Sequence, residues 1–283
     1  MIDPVLKVRA LIDAIVDHYH LDLPDGYKRR DPKEPGRIIK EAWEDELFKI
    51  FRLRFDAQLK MIESYLEANP LKAGGGPGTK IPLDHPETDE LLLEAFAGMM
   101  KDGYQQFMLR QTLSVSWSQY NEDALFWVDS WVTELTDMID ATTGKRLERE
   151  LTNFISQEGY TVGDVISGLK ESGLDSGRAE DIAINEITRT FGKAEYSAGQ
   201  QLLAEWPDVK VVKTWYTNND AMVCPICLPL NEESVLMNDR FSCGEDHPPA
   251  HPGCRCWMES RTDILDSIAV TEAERDAQME IPF

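Results

Sequence analysis

The chain has 283 residues, enough for one large domain or two smaller ones, and a hydrophobic content of 42% argues against a wholly disordered protein. With 29 Lys and Arg against 51 Asp and Glu, the formal net charge is −22. Binding along nucleic acid depends on Lys and Arg at the phosphates, so we expect no specific nucleic-acid binding.

The sequence also lacks the pattern of a membrane or secreted protein. No run reaches the roughly 18 consecutive apolar residues that a membrane-spanning helix needs. The N-terminus, MIDPVLKVRALIDAIVDHYH, has acidic residues and helical periodicity instead of a basic region followed by an apolar run. We predict no membrane association and a reducing cytoplasm, where clustered cysteines bind metals or act in catalysis more often than they form disulfides.

Residues 1–140 are predicted to form an elongated, mainly α-helical region. The stretch 69–87, NPLKAGGGPGTKIPLDHPE, is dense in Gly and Pro and predicts a flexible loop. A helix before the loop and a helix that begins near Asp89 each carry an apolar stripe at steps of three and four residues. The first stripe is Leu47, Phe51, Phe55, Leu59, Ile62 and Leu66, and the second is Leu92, Phe96, Met99, Gly103 and Phe107.

A third helix in this region carries Phe126, Trp127, Trp131, Leu135 and Met138. We interpret these Met and aromatic residues as packing residues in preference to a cofactor site. A subunit interface is a further reading, and the sequence does not separate it from packing.

Residues 141–262 are predicted to form a small α+β module, followed by an acidic tail at 263–283. Two shorter helices come first, the second started by Thr161, which forms a near capping box with Asp164. A long helix follows, capped by Ser176 or Asp175. VKVVKTWYT, residues 209–217, then alternates and is rich in β-branched and aromatic residues, which predicts a strand.

All five cysteines lie in one segment after that strand. Cys224 and Cys227 form a Cys-x-x-Cys, and His251, Cys254 and Cys256 follow as a second short group. Structural zinc takes four S or N ligands from two such groups separated by a loop. We therefore predict a zinc-stapled module with these five residues as candidate ligands, although one tetrahedral ion cannot take all five.

Other readings of the segment carry less weight. Cys243 and His247 lie in a stretch rich in Gly, Glu and Asp and rank below the five candidates. Redox chemistry needs a helix directly after the first Cys of the pair, which Pro225 and Pro229 leave short. A disulfide from Cys227 to Cys254 or Cys256 would need an oxidising medium. An HNH-like, metal-dependent nuclease that uses His247 or His251 is the enzymatic alternative, because Asp246-His247-Pro248 matches the setting of its general base.

Three segments together resemble a known family. GRAEDIAINEITRTFGKAEYSAG, TWYTNNDAMVCPICLPLNEESV and PPAHPGCRC occur in the order found in the head-morphogenesis domain of tailed phages, the family of the minor head protein F of phage Mu. The resemblance covers roughly residues 140–262, and its motif residues include Glu186, Thr188, Asp220 and Arg255, beside the Cys and His residues. The chain departs from the common pattern at Ile184-Asn185 and after Asn231.

The resemblance implies a non-enzymatic minor capsid protein of a tailed bacteriophage. It places such a protein in the virion at the portal vertex, and in the host cytoplasm during assembly, with the portal protein and the major capsid protein as partners. It also implies Cys227, His251, Cys254 and Cys256 as the core ligand set, with Cys224 as a fifth candidate. Between two ligand cysteines, Arg255 is expected to pair with Asp220 or to offset the thiolate charge.

Overall fold

The computed structural model describes residues 30–69, 81–111, 117–156, 161–218, 220 and 223–262. The predicted acidic tail and most of the predicted loop at 69–87 lie outside these residues. The chain divides into two compact units. Among the described residues, the first unit holds 40–98 and 123–184, and the second holds 30–39, 99–122 and 185–262.

Helices make up most of the described chain. They are α1 (Arg37–Ala68), α2 (Pro86–Gln111), α3 (Trp117–Ser156), α4 (Val162–Glu171) and α5 (Ser176–Glu205). Three strands, β1 (Val211–Tyr216), β2 (Ser234–Leu236) and β3 (Trp257–Thr262), form an antiparallel sheet in the order β2-β1-β3. The predicted fold class, mainly α with a small α+β C-terminal part, is confirmed. Among the described residues, no helix has the long, nearly uncharged apolar stretch that spanning a bilayer requires.

The apolar stripe predicted for α1 is buried in the first unit, from Leu47 to Leu66. The same helix buries Arg54, whose guanidinium donates to both carboxylate oxygens of Asp140 at 2.8 and 2.9 Å and to the Thr88 hydroxyl at 3.0 Å. Gln58 donates to Asp140 at 2.7 Å as well. A buried guanidinium is tolerated because its donors are met by charged and polar acceptors.

Two predictions at helix ends are resolved by hydrogen bonds. The capping box is confirmed: the Thr161 hydroxyl accepts from the Asp164 backbone N–H, and the Asp164 carboxylate accepts from the Thr161 N–H at 2.7 Å. At α5, Asp175 provides the cap, because its Oδ1 accepts from the backbone N–H of Arg178 at 3.0 Å.

Helix α3 differs from the prediction in two ways. It runs without a break through residues 140–141 to Ser156, where two separate helices were expected, because its buried stripe continues into Leu147 and Leu151. The packing role predicted for its Met and aromatic residues is wrong for Phe126 and Met138, which are exposed. The residues that pack are Ala124, Val128, Val132, Leu135 and Ile139.

The sheet belongs to the second unit. Strand β1 (Val211–Tyr216) confirms the strand that was predicted at residues 209–217. Strand β3 was not predicted, since WMESRT shows little alternation. Its outer edge is satisfied by side chains: Gln111 donates to the Ser260 carbonyl, and the Ser260 N–H donates to Glu195, both at 2.6 Å. Such capping removes the open hydrogen bonds of an edge strand.

Candidate metal centre

The sheet brings the two cysteine segments together. Tyr216, the last residue of β1, pairs with Trp257, the first residue of the antiparallel strand β3. The Cys-x-x-Cys therefore leaves the sheet at the same end at which Cys254 and Cys256 enter it. Antiparallel pairing thus brings the two groups to one location, although Cys224 and His251, for example, are 27 residues apart in the sequence.

Each segment makes a tight turn that points its side chains inward. After Cys224 the chain turns so that the backbone N–H of Cys227 donates to the Cys224 carbonyl at 3.1 Å and to its sulfur at 3.3 Å. In the second segment Gly253 has φ +74°, a conformation that favours glycine, and the Cys254 N–H donates to the His251 carbonyl. These turns place the ligand atoms of both segments in one cluster.

Five ligand atoms lie in two overlapping triplets. Cys224, Cys227 and His251 form one, and Cys227, Cys254 and Cys256 form the other, with all atoms of a triplet within 4.8 Å of one another. The Nε2 atom of His251 lies 3.0 Å from Cys224 Sγ and 3.2 Å from Cys227 Sγ, and the Sγ atoms of Cys227 and Cys254 are 3.7 Å apart. Cys227 belongs to both triplets and is the centre of the cluster.

Burial and neighbouring thiols set the protonation of the cluster. Cys227, Cys254 and Cys256 are buried in one core with Trp215 and Phe241, and all five cysteines are free. Hydrogen bonding from Cys227 lowers the pKa of Cys254, while bonds with Cys254 and Cys256 raise the pKa of the Cys227 thiol. The cluster therefore favours a thiolate at Cys254, and the thiolate is the form that binds metal.

The two more exposed residues of the cluster, Cys224 and His251, are also in a state that favours binding of a cation. Burial raises the pKa of Cys224, but bonds from the backbone and side chain of Cys227 outweigh it, so the net pKa is lowered. His251 Nδ1 lies 2.9 Å from the Pro252 carbonyl. An N–H at Nδ1 donates there, which leaves Nε2 with its lone pair facing the two sulfurs.

These residues fit a soft divalent metal. Thiolates and imidazole are the ligands of structural zinc, and a tetrahedral ion with sulfur at about 2.3 Å separates two sulfurs by about 3.8 Å. The separation of Cys227 and Cys254 matches that value. The cluster could therefore hold a metal ion with no change of fold.

Cys243 and His247 lie outside both triplets. His247 packs against Tyr196, with ring centroids 5.9 Å apart, and its Nδ1 lies 2.7 Å from the Pro248 carbonyl. Burial lowers the pKa of His247 to about 4. It is therefore a neutral, partly buried ring at neutral pH, in a setting separate from the cysteines.

The family motif residues hold the two segments in place. Arg255 donates to both oxygens of Asp220 at 2.7 and 2.9 Å, the pairing expected from the sequence. Thr217 donates to the side-chain oxygen of Asn231 through its N–H and its hydroxyl, both at 3.0 Å. Asn231 was not singled out in the sequence, although an Asn at the end of a tight turn is a common partner for the backbone.

A second missed element is the chain just before α1. The backbone N–H of Asp31 donates to Asn218 Oδ1 at 2.6 Å, and Asn218 donates on to Asp220 at 2.8 Å. Arg30 is buried, pairs with Glu34 at 2.9 Å and contacts the Thr188 hydroxyl at 3.3 Å. Residues 30–34 are therefore part of the second unit, and no local pattern in the sequence signals these long-range contacts.

A family model described as Phage Mu protein F like protein matches residues 134–259. The resemblance inferred from the three motifs is thereby confirmed over this region, which contains the whole cysteine cluster. Comparison with curated proteins and with solved structures gave no match.

Proposed function

We propose, from the similarity of residues 134–259 to the Phage Mu protein F like family, that the protein is a non-enzymatic minor capsid protein of a tailed bacteriophage. The family suggests a part in head morphogenesis. Our proposal adds a place at the portal vertex of the virion, contact with the portal protein and the major capsid protein, and residence in the host cytoplasm during assembly.

The proposal includes a structural zinc ion in the cysteine cluster. Cys227, Cys254 and Cys256 are buried, and His251 presents Nε2 to Cys227, so we assign these four as the ligands and Cys224 as an adjacent fifth thiol. Bound zinc supplies folding free energy to its ligands' segments. Between β1 and β3 the chain forms only a short 3-10 turn and β2 among its described residues, so little secondary structure stabilises it otherwise.

One observation carries the structural reading of the site: the motif residues contact one another and the core. Trp215 is buried against the cysteines, and Arg255 pairs with Asp220 between the two segments. These contacts hold two chain segments together. Contacts of this kind are expected at a structural metal site. They support the proposal that the site stabilises the module that other head proteins bind.

Purified particles test the proposal. Mass spectrometry of particles banded on a density gradient should detect the chain at a few copies for each portal ring, and the chain should co-purify with the portal protein from infected cells. Absence from particles of a phage that encodes it would contradict the virion assignment.

The nuclease alternative is tested on the same protein. We expect no magnesium-dependent cleavage of double-stranded DNA by the zinc-loaded full chain. Cleavage that is lost in His247→Ala, with the zinc content unchanged, would overturn the non-enzymatic assignment. Cleavage that survives both in this variant and in His251→Ala would point to a contaminating nuclease.

A further inference from the structure

The indole N–H of Trp215 is a buried donor that lacks a well-aligned acceptor. Trp215 lies in β1, and its side chain is completely buried. Its Nε1 makes no well-aligned hydrogen bond with any part of the chain that the structure describes. A buried N–H without an acceptor is unfavourable, so such a group in a native protein calls for an explanation.

The pairing of β1 with β3 brings Cys256 to this indole. Trp215 pairs with Met258, and Tyr216 pairs with Trp257. Cys256 is two residues before Met258, and side chains two residues apart lie on the same face of an extended segment. In an antiparallel pair, such a diagonal neighbour is within reach of an aromatic side chain. Cys256 is therefore a candidate ligand that the Trp215 ring can contact across the sheet.

The core around the indole agrees with this placement. Trp215 is buried in one core with Cys227, Cys254 and Cys256. The ring of Phe241 meets the indole edge to face, with centroids 5.1 Å apart, and restrains it. Hydrogen bonding with Cys227 and the nearby indole lower the pKa of the Cys256 thiol, whereas Cys254 and burial raise it more. The indole thus lies close enough to Cys256 to act on its charge.

Two other sulfurs of the cluster receive backbone donors. The N–H of Cys227 donates to Cys224 Sγ at 3.3 Å. Hydrogen bonding from Cys227 lowers the pKa of Cys254, and bonds from backbone N–H groups lower it further. At Cys256 the N–H comes from a side chain, that of Trp215. A side-chain donor, unlike a backbone donor, can be removed by substitution.

The charge of the proposed zinc site explains why a further donor is needed. Three thiolates and a neutral imidazole give a site that holds Zn²⁺ one net negative charge. The three cysteines are buried, and a buried charge is unfavourable unless it is hydrogen-bonded. Arg255 offsets this charge only in part, because both of its terminal nitrogens bond to Asp220. An N–H bonded to a thiolate is charge-assisted and therefore stronger than one bonded to a neutral thiol.

We propose that Trp215 is a positioning residue of the zinc site, whose indole N–H donates a hydrogen bond to the metal-bound thiolate of Cys256. This bond orients the Cys256 sulfur toward the ion and draws negative charge away from it. The inference rests on the zinc site proposed above. A chain that binds zinc without this bond would leave that site standing.

NMR spectroscopy of the isotopically labelled full chain, loaded with a spin-active cadmium isotope, tests the bond directly. Thiolates select soft ions such as cadmium, and a hydrogen bond to a metal-bound sulfur couples the metal spin to the donated proton. The chain has seven Trp residues, and we expect coupling to one indole proton. That signal should be the one that disappears in Trp215→Phe.

Two further measurements use Trp215→Phe, which keeps an aromatic ring and removes the donor. Zinc affinity should fall about tenfold, at the low end of the effect of groups that orient metal ligands. In the cobalt-loaded chain, the sulfur-to-cobalt charge-transfer band should move to lower energy, because a thiolate that loses a donor gives up an electron more easily. A ring that serves only for packing would leave the band in place.

Trp257→Phe is the matched control. Trp257 follows Cys256 directly, and its Nε1 is also buried without an acceptor among the described residues, but its ring stacks on Tyr216 with centroids 5.6 Å apart. This variant should keep the zinc affinity and the band position of the parent.

A cadmium-loaded chain in which no indole proton couples to the metal would overturn the role of Trp215 and leave the zinc site intact. Equal shifts of the cobalt band in Trp215→Phe and Trp257→Phe would also overturn it. A chain that takes up none of the three metals would contradict the zinc site itself, and this inference with it.

Discussion

Arg255 and Asp220 form a two-pronged ion pair, with both terminal nitrogens of the guanidinium bonded to the two carboxylate oxygens at 2.7 and 2.9 Å. Arg255 stands between Cys254 and Cys256, and Asp220 stands four residues before Cys224. The pair therefore joins the segment before β3 to the segment after β1 directly beside the candidate ligands. Planar, bidentate pairing is a property of Arg that Lys does not reproduce.

Replacing Arg255 by Lys should weaken metal binding while leaving all five candidate ligands in place. Partners that orient ligands typically contribute 10- to 100-fold to metal affinity, and we expect about tenfold here because Asp220 is partly exposed. Competition with a zinc chelator gives the affinity. Arg240→Lys is the control, because Arg240 is largely exposed and its pair with Asp246 is long at 3.6 Å. Equal zinc affinities for Arg255→Lys and the parent would show that the ion pair of Arg255 with Asp220 does not orient the ligands.

In the first unit, Arg54→Ala should strongly destabilise the fold. Its side chain is 1% exposed and pairs with Asp140 and Asp89, which would be left without their cation. Loss of one partner of a buried pair costs about 3 to 5 kcal/mol of unfolding free energy. Urea unfolding measures the change.

Arg52→Ala is the matched control for Arg54 on the same helix. Arg52 pairs with Asp56 four residues on, at 3.3 Å, and such pairs contribute about 0.5 kcal/mol. If both variants lost the same amount, the buried network around Asp140 would not stabilise the first unit in the way described.

His247 should make the protein less stable on acidification. Its pKa is lowered to about 4 in the folded chain by burial, whereas an unfolded His titrates near about 6.5. Between these values the unfolded chain binds more protons, so the unfolding free energy falls as the pH drops from about 6.5 toward 4. The expected loss from this residue at pH 4.5 is about 2 kcal/mol.

The variant His247→Asn isolates the contribution of His247 to the pH dependence of stability. The amide keeps a donor for the Pro248 carbonyl and does not titrate in this range. Both proteins keep the same candidate ligands, so protonation of the cysteines affects both alike. We expect a shallower pH dependence of the unfolding free energy for the variant. Parallel curves for the two proteins would mean that His247 is not held neutral by the fold.

Gly192 should tolerate no side chain. A Cβ there would lie 2.7 Å from the Pro248 carbonyl oxygen and 3.1 Å from His247 Nδ1, so Gly192→Ala forces α5 away from the loop before His251. We expect a loss of about 1 to 3 kcal/mol in thermal unfolding. Gly144→Ala in α3 is the control, since its nearest neighbour would be Leu83 at 4.0 Å and Ala favours a helix by up to about 1 kcal/mol. Stability gained at both positions would argue against the close approach at Gly192.

Local sequence patterns were sufficient to predict those structural features that depend on one short stretch of the chain. The stripe from Leu47 to Leu66, the capping box at Thr161 and the alternation of β1 were all predictable, because each depends on neighbours a few residues apart. The pairing of Arg255 with Asp220 is one of the two roles that were expected for Arg255, the other being to offset the thiolate charge, and Asp220 was known only through the family resemblance.

Features that depend on distant contacts were not predictable. Periodicity places Phe126 and Leu135 on a helix but does not say which side meets the core, so Phe126 was wrongly assigned to packing. The anchoring of Asp31 on Asn218 joins positions 187 residues apart, and nothing local marks either residue. Strand β3 exists because β1 and the Gln111 side chain satisfy its edges.

Zinc content of the purified full chain, with a cysteine series, tests the central claim most directly. We predict one zinc ion for each chain, retained through gel filtration, lost in Cys227→Ser and kept in Cys243→Ser, because Cys227 belongs to both ligand triplets and Cys243 to neither. Loss of zinc should also lower the thermal midpoint of the second unit. A full chain that contains no zinc when purified from zinc-supplemented cells, or that keeps it in Cys227→Ser, would contradict the zinc-stapled module.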